Sequence, residues 1–254
     1  MSFRMQAIIA AAVSMAAVVG LPGCAGGPGL EQLAQSARPL PEATGESSAT
    51  TATSLQTGTV KTSAAAAPRQ DNASLSLARS LRDKGDKPRA LVELERAQAR
   101  SPKDRAIALE AGILALELGH LDKARRSLEA ANDPAKPDWH TLAALGTVAA
   151  TDGNQREAQT YFKRVLELKP NHQPTLNNLA LSYALDGKLA EAESTLKRLT
   201  AGGQPPRQVQ ENLALVLALS GKHAEAEKIA TGVLAKDKAK ANIAYVRAMT
   251  QQGS

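Results

Sequence analysis

Apolar residues recur every three or four positions along most of this chain, and most runs of them end near a glycine or a proline. In the stretch 139–172, a first run that includes Leu142 and Leu145 ends at Gly153, and a second run stops before Pro170. Side chains three or four positions apart share one face of an α-helix. Glycine and proline are the residues that most often end helices. The stretch is therefore predicted to be a pair of amphipathic helices joined by a short turn.

The same pattern repeats with a period of 34 residues. The glycines that end the first run of each period are Gly85, Gly119, Gly153, Gly187 and Gly221. A small residue stands seven positions before each of them, and an alanine five positions after it. A fixed period of this length is typical of stacked-repeat proteins, because one unit cannot bury its own apolar face and must pack on its neighbours.

We therefore predict an all-α fold of five stacked helix-turn-helix repeats with a C-terminal capping helix. The predicted repeats are about 71–104, 105–138, 139–172, 173–206 and 207–240, and the predicted cap is 241–251. Within the third repeat, Gly146 and Ala158 are expected to let the two helices approach closely. Phe162 is expected to fill the space toward the next repeat.

These repeats resemble the tetratricopeptide repeat. The residues that carry the resemblance are the small residue of the first helix, the glycine between the helices and the alanine that opens the second helix. In the third period these are Gly146, Gly153 and Ala158. The resemblance implies a right-handed superhelix in which the first helix of every repeat lines a concave inner groove.

Residues 1–23 have the layout of a secretory signal peptide. A short, weakly positive start is followed by a nearly uninterrupted apolar run over 5–20. The run is short for a membrane span and no second apolar span follows, so a signal peptide is favoured over a retained transmembrane helix.

The end of this segment, Leu21-Pro22-Gly23-Cys24, resembles a bacterial lipobox. The resemblance implies that the thiol of Cys24 receives diacylglycerol and that Cys24 becomes the first residue of the mature chain. Pro22 departs from the small or β-branched residue usual at that position, so ordinary cleavage to a soluble periplasmic protein is the alternative. Ala25 follows the cysteine instead of aspartate, which favours the periplasmic face of the outer membrane.

Residues 24–70 are rich in Gly, Pro, Ser, Thr and Ala and contain few large apolar residues. A segment of this composition buries too little apolar surface to offset the conformational entropy lost on ordering. We predict a disordered tether between the lipid anchor and the repeats.

Composition and motifs exclude several kinds of function. The net charge of +6 does not indicate nucleic-acid binding, because Lys and Arg are interspersed with Asp and Glu instead of clustered. A single cysteine allows no intramolecular disulfide, and the four histidines have no metal-site spacing. No nucleotide-binding or hydrolase motif is present. We predict a protein that is not an enzyme and uses no cofactor, metal or small-molecule substrate.

Protein binding through the first helices is the remaining function. The candidate contacts are the first-helix residues outside the predicted core: Asn177, Asn178, Leu181, Glu211, Asn212 and Leu215. A side-chain amide both donates and accepts hydrogen bonds, which suits the backbone of an extended or helical peptide. Alternatively, Asn178 and Asn212 bond to the backbone of the neighbouring repeat, and the sequence leaves both alternatives open.

The C-terminal third carries a closer resemblance. N-L-A-L occurs at 178–181 and again at 212–215, and N-I-A-Y-V-R-A follows at 242–248. This pattern resembles the TadD family, the tetratricopeptide lipoproteins of tight-adherence (Flp) pilus assembly. The matched positions are Asn178, Asn212, Asn242, Tyr245 and Arg247. The family usually has a second aromatic residue where Val246 stands, and the tether of this chain is long.

The resemblance to TadD implies a role in forming or localising an outer-membrane secretin, and it adds Asn242, Tyr245 and Arg247 to the candidate partner contacts. The alternative function is a general periplasmic adaptor for another envelope complex or for cell-wall enzymes.

Overall fold

The computed structural model of this protein describes residues 67–252 except 202 and 204. The signal segment, Cys24 and nearly all of the predicted tether lie outside these residues. The described part contains eleven α-helices and no strand: α1 Ala67–Asp83, α2 Lys87–Arg100, α3 Arg105–Glu117, α4 Leu121–Ala131, α5 Trp139–Thr151, α6 Gln155–Leu168, α7 Gln173–Leu185, α8 Leu189–Thr200, α9 Arg207–Leu219, α10 His223–Val233 and α11 Lys236–Gln252. None of these helices is long and apolar enough to cross a bilayer.

The helices stack in pairs along the chain. Each odd-numbered helix packs on the even-numbered helix that follows it, and each even-numbered helix then packs on the first helix of the next pair. First helices α3, α5, α7, α9 and α11 also contact one another in sequence. The predicted all-α stack of helix pairs is confirmed.

The periodic glycines close the first helix of every pair. Gly153 has a φ of 84°, and the other four have φ between 77° and 84°. The N–H of Asn154 donates to the carbonyl of Ala149 at 2.9 Å, which is the six-to-one bond of a Schellman cap. No atom lies within 4 Å of a Cβ built on Gly85, Gly119, Gly153 or Gly221. The left-handed backbone, and not lack of space, therefore requires glycine at these turns.

Gly146 meets a different requirement, which is close approach of two helices. A Cβ at Gly146 would lie 2.6 Å from Cε1 of Phe162. Phe162 is fully buried and belongs to one core cluster with Leu179 of the next repeat. The expectation that Phe162 fills the space toward the next repeat is confirmed by its contact with the cluster of Leu179, and the ring also covers the glycine of its own repeat.

The two ends of the helical stack differ from the expected bounds. The closing helix begins at Lys236 and not at 241, after an extended residue, Leu234. The first and third periods have a proline, such as Pro170, where the fifth has Lys238, so nothing prevents an earlier start of α11. Helix α11 packs on α9 and α10 and thus caps the stack. At the other end α1 begins at Ala67, within the stretch expected to be tether.

Candidate partner-binding groove

In the third and fourth repeats, the first and second helices differ in their content of charged residues. Helices α5 and α7 contain no Asp, Glu, Lys or Arg, whereas the adjoining second helices α6 and α8 contain five and four. The charged residues of a helix usually mark its solvated face. The surface of the first helices therefore needs a separate description.

The exposed edge of the first helices is a continuous strip of uncharged side chains, which we call the inner stripe. Its axis is one repeat position, occupied in four successive repeats by Ile113, Thr147, Leu181 and Leu215. Its flanks on α5 and α7 are Ala143, Ala150, Asn178 and Leu185. All eight side chains are half-buried, so each presents part of its surface to solvent. The stripe therefore offers a binding surface without a formal charge.

The charged residues of the first helices beside the inner stripe are neutralised in ion pairs. Helices α3, α5, α7 and α9 together carry five of them, and in the described structure each is in an ion pair. Glu110 and Glu117 pair with arginines of α1 at 2.8 and 2.6 Å, and Arg105 pairs with Asp133 at 2.6 Å. The remaining two, Arg207 and Glu211 of α9, pair with each other at 2.7 Å.

Asn177 and Asn212 lie in the interior, where they bond to each other. Nδ2 of Asn212 donates to Oδ1 of Asn177 at 2.8 Å, and the two residues are only 7% and 6% exposed. The bond ties α9 to α7, the first helix of the preceding repeat. Of the two alternatives that the sequence leaves open for Asn212, the inter-repeat bond is the one present. Its acceptor is a side-chain amide instead of the backbone.

Asn178 occupies the same repeat position as Asn212 but has a different environment. Asn212 reaches the residue 35 positions earlier, and the residue 35 positions before Asn178 is Ala143. Alanine offers no side-chain acceptor or donor. Within the described part of the chain the amide of Asn178 makes no hydrogen bond, and the side chain is half-buried on the inner stripe.

The other predicted contacts fall in two places. Leu181 and Leu215 lie on the inner stripe, as noted above, and Glu211 is half-buried beside it in its pair with Arg207. The three residues matched in the closing helix are exposed on α11: Asn242, Tyr245 and Arg247. Asn242 and Tyr245 are three positions apart and share a helix face, whereas Arg247 points away from it.

An aromatic cluster at the start of α5 did not emerge from the sequence patterns. The ring of Trp139 stacks on His140 at a centroid distance of 3.6 Å and lies 4.8 Å from the ring of His172. Nδ1 of His172 is 2.8 Å from Oγ1 of Thr175. Burial lowers the pKa of His172, and His140 and Lys169 lower it further by charge repulsion. The cluster joins the openings of α5 and α7, and only the uniqueness of the tryptophan in the sequence could have pointed to it.

No group of three or more His, Cys, Asp or Glu residues that could hold a metal ion occurs among residues 67–252.

A second set of polar contacts joins the outer edges of successive repeats. Residues 125, 159 and 193, one period apart, each reach forward to the turn of the next repeat. The contacts are Arg125 with Asp152 at 3.1 Å, Gln159 with Asp186 at 3.2 Å, and Glu193 with Lys222 at 2.8 Å. Each of the three junctions therefore pairs a different combination of side chains.

Two carboxylates in these junctions have lowered pKa values. Hydrogen bonds from Lys197 and Lys222 lower the pKa of Glu193. For Asp186, burial acts to raise the pKa, but hydrogen bonds from Lys188 and Gln159 outweigh it and the pKa is lowered. Both groups are therefore held in their charged form, as structural ion pairs require.

The family model of the tetratricopeptide repeat matches residues 75–138 and 143–206, which is half of the chain and four of the five helix pairs in the part that the structure describes. The chain belongs to the tetratricopeptide repeat family. Members of this family bind protein partners, so the inner stripe is a candidate protein-interaction surface. A comparison with curated proteins finds no match.

Solved structures of other tetratricopeptide repeat proteins are similar to this chain. One is a repeat protein from Parabacteroides merdae, with a TM-score of 0.62 and 18% identity over 72% of this chain and 75% of that chain. PilW, a type IV pilus biogenesis factor, has a TM-score of 0.57 and 22% identity over 72% and 91%. PilF of Pseudomonas aeruginosa has a TM-score of 0.55 and 18% identity over 65% and 75%. At these identities the likeness shows the fold alone.

Proposed function

We propose that this protein is a lipid-anchored scaffold on the periplasmic face of the bacterial outer membrane. It binds a protein partner through the inner stripe and assists the assembly or localisation of a tight-adherence (Flp) pilus secretin. The observation that carries the binding role is the uncharged inner stripe, because a continuous surface of this kind in an otherwise charged protein marks an interaction site.

Two observations support a pilus partner. The C-terminal sequence pattern resembles TadD, and the structural neighbours include PilW and PilF. Within the TadD-like pattern, Asn212 is explained by packing against Asn177. Asn178 has no such partner among the residues that the structure describes. Of the residues in this pattern, Asn178 is therefore the one best explained by a role in binding.

The lipid anchor is tested at Cys24. Acyl chains on this residue would hold the protein in a bilayer, since each buried methylene contributes about 0.8 kcal/mol. Cys24→Ser should release the protein into the soluble periplasmic fraction with an unchanged helical circular dichroism spectrum. A variant that stays in the outer-membrane fraction would contradict lipidation at this residue.

The pilus role is tested by deletion of the gene in the producing bacterium. Heat-resistant secretin multimers on denaturing gels should be lost, and the wild-type protein should restore them. Thr147→Asp, which places a charge on the inner stripe, should fail to restore multimers although it accumulates normally. Unchanged multimers and unchanged piliation after deletion would contradict the pilus role and leave the general periplasmic adaptor as the function to pursue.

A further inference from the structure

We propose that the edge of the stack at which the second helices of the last three repeats end is a docking surface for an anionic phospholipid bilayer. The contact holds the repeats against the membrane to which the proposed anchor at Cys24 attaches the chain. The proposal rests on the membrane location in the proposed function, but it depends neither on a secretin nor on the inner stripe.

The first step concerns the distribution of charge. The last ten residues of each repeat contain the end of the second helix and lie at one edge of the stack. Their net charge is +1 in 95–104, −2 in 129–138, and +2 in each of 163–172, 197–206 and 231–240. We call the last three segments the basic edge. They belong to consecutive repeats, and in them eight Lys and Arg residues stand against two carboxylates, Glu167 and Asp237.

The second step is that most of these cations are available to a partner. Lys197 is paired with Glu193 at 2.8 Å, and Lys163 lies over the ring of Tyr183. The other six make no ion pair and no side-chain hydrogen bond within residues 67–252. Five of the six are exposed, and the sixth, Arg164, is half-buried. Their charges are therefore not used inside the fold.

The third step is that helix stability does not account for these cations. A cation near the C-terminus of a helix interacts favourably with the helix dipole, which would explain Arg198 on α8. The last turn of α4, however, carries Glu129 instead. Lys236, Lys238 and Lys240 lie in the first turns of α11, where the dipole disfavours a cation. The basic edge therefore needs an explanation outside the helices.

An exposed leucine lies among the cations of the basic edge. Leu168 is 42% exposed and is one of four large apolar residues exposed in the described chain. It lies one turn after Arg164 on the same face of α6, and Lys169 follows it. At a bilayer surface an apolar side chain enters the boundary of the acyl chains, whereas neighbouring Lys and Arg side chains stay among the phosphates. Leu168 therefore fits a bilayer surface better than it fits water.

The arrangement of the basic edge favours a bilayer over an acidic protein. Arg164 and Arg198 occupy the same repeat position on α6 and α8, and the lysines of α11 follow one repeat later. The charges are thus spread along the edge, as a plane of lipid phosphates requires. Helix α1 begins at Ala67 on the same edge, because all first helices begin there. The segment that leads to Cys24 is therefore attached to the side of the stack that carries these charges.

The experiment uses the full-length protein, purified in detergent from the producing bacterium and reconstituted with vesicles that contain a trace of dansyl-labelled phosphatidylethanolamine. Trp139, the only tryptophan, is a built-in donor, because its ring lies 4.8 Å from that of His172 in the basic edge. Energy transfer from Trp139 to dansyl should be high on vesicles with phosphatidylglycerol and low on vesicles of phosphatidylcholine alone. Salt at about 1 M should abolish the difference, because it screens charges beyond about 3 Å.

The variant Arg164→Gln/Arg198→Gln removes two cations of the basic edge. On anionic vesicles it should lower the ratio of docked to undocked protein about fivefold for each cation removed. The matched control is Lys84→Gln/Arg126→Gln, which removes the same charge elsewhere. Lys84 and Arg126 are exposed and make no ion pair within the described chain. The control should dock like the wild type, and both variants should keep the wild-type melting temperature within a few degrees.

Flotation of the same samples distinguishes this proposal from the lipid anchor. Protein that floats with phosphatidylcholine vesicles but gives equal energy transfer on both kinds of vesicle has an anchor and no docking edge, which overturns the proposal. Protein that floats only with phosphatidylglycerol vesicles, and no longer does so as Arg164→Gln/Arg198→Gln, supports the edge and contradicts the anchor. Equal losses in that variant and in the control would assign the attraction to net charge alone. Docking that Arg164→Gln/Arg198→Gln leaves unchanged would leave an acidic protein as the partner of these cations, and either result overturns the proposal.

Discussion

In the third and fourth repeats, the first and second helices bury the same kinds of residue but expose different kinds. In the third repeat, α5 buries Leu145 and Val148, and α6 buries Phe162 and Val165. Toward solvent, α6 shows charged residues such as Lys163, whereas α5 shows only small and hydroxyl side chains on the inner stripe. Packing needs no such asymmetry, because both helices already fill their shared interior. We therefore attribute the asymmetry to binding.

A second comparison concerns two residues at one repeat position. Asn178 and Asn212 have the same helix position and similar neighbours in sequence, but within residues 67–252 only Asn212 has a hydrogen-bond partner. The difference arises in the preceding repeat, where Ala143 corresponds to Asn177. Equivalent positions in a repeat protein thus have an equivalent backbone conformation, whereas the hydrogen bonds of the side chain depend on the residues of the adjacent repeat.

The largest effect should follow a change in the interior that both kinds of helix share. Phe162→Ala removes a fully buried ring that lies over Gly146. It should lower the free energy of unfolding by about 3–5 kcal/mol, because the cavity cannot collapse around a helical glycine. Urea denaturation followed by circular dichroism measures the loss. Thr160→Ala on the exposed face of the same helix is the control and should change the free energy by less than about 0.5 kcal/mol.

The comparison of the two asparagines predicts an intermediate effect. Asn212→Ala leaves the buried amide of Asn177 without its partner, so it should cost about 1–3 kcal/mol in urea denaturation. Asn178→Ala removes an amide that has no hydrogen bond and should cost much less. The double variant Asn177→Ala/Asn212→Ala should cost less than the sum of the two single variants. Equal losses at Asn178 and Asn212 would break the comparison.

The ion pairs between the outer edges of successive repeats predict the smallest effect, which is a loss of stability at acid pH. The pKa of Glu193 is lowered from 4.5 in the folded protein. As the pH falls through this range, the unfolded state takes up a proton before the folded state does, so the stability contributed by Glu193 is present above pH 4.5 and is lost below it. The stability that Glu193 contributes should stay constant from pH 7 to about pH 4.5, and the melting temperature should fall as the pH is lowered further.

The variant Glu193→Gln isolates this contribution. It should melt at a lower temperature than the wild type at pH 7 and should lose less on acidification. Glu167→Gln, at an exposed position of α6, should follow the wild-type curve. If Glu193→Gln and the wild type lose stability in parallel, the junction between the fourth and fifth repeats does not depend on this carboxylate.

Much of the fold could be predicted from the sequence because its signals are local. The turn at Gly153 needs a left-handed φ, and that requirement involves only the residues beside it. The apolar spacing around Leu142 and Leu145 likewise acts within one helix. The start of α11 was harder to predict. Lys238 stands where the first and third periods have a proline, so the residue that would prevent a helix is missing, but no residue marks where the helix begins.

Less of the candidate site could be predicted, because its properties depend on distant residues. The sequence placed Leu181, Leu215 and Asn178 among the candidate contacts, and these lie on the inner stripe. It placed Asn177 and Asn212 beside them, and these are buried. No local pattern distinguishes the two groups, because all five residues belong to similar N-L-A-L helices.

The sequence by itself determined the repeat, its period and the turn at each glycine, because these follow from backbone conformation and apolar spacing over a few residues. Only the tertiary structure decided which amide is bonded to another repeat, because the stacking of α9 on α7 brings Asn212 to a residue 35 positions away. It also decided that the ionic side chains around the inner stripe are paired, since Glu110 and Glu117 of α3 meet arginines of α1. A hydrogen bond or an ion pair between repeats depends on stagger and distance, and the order of residues alone specifies neither.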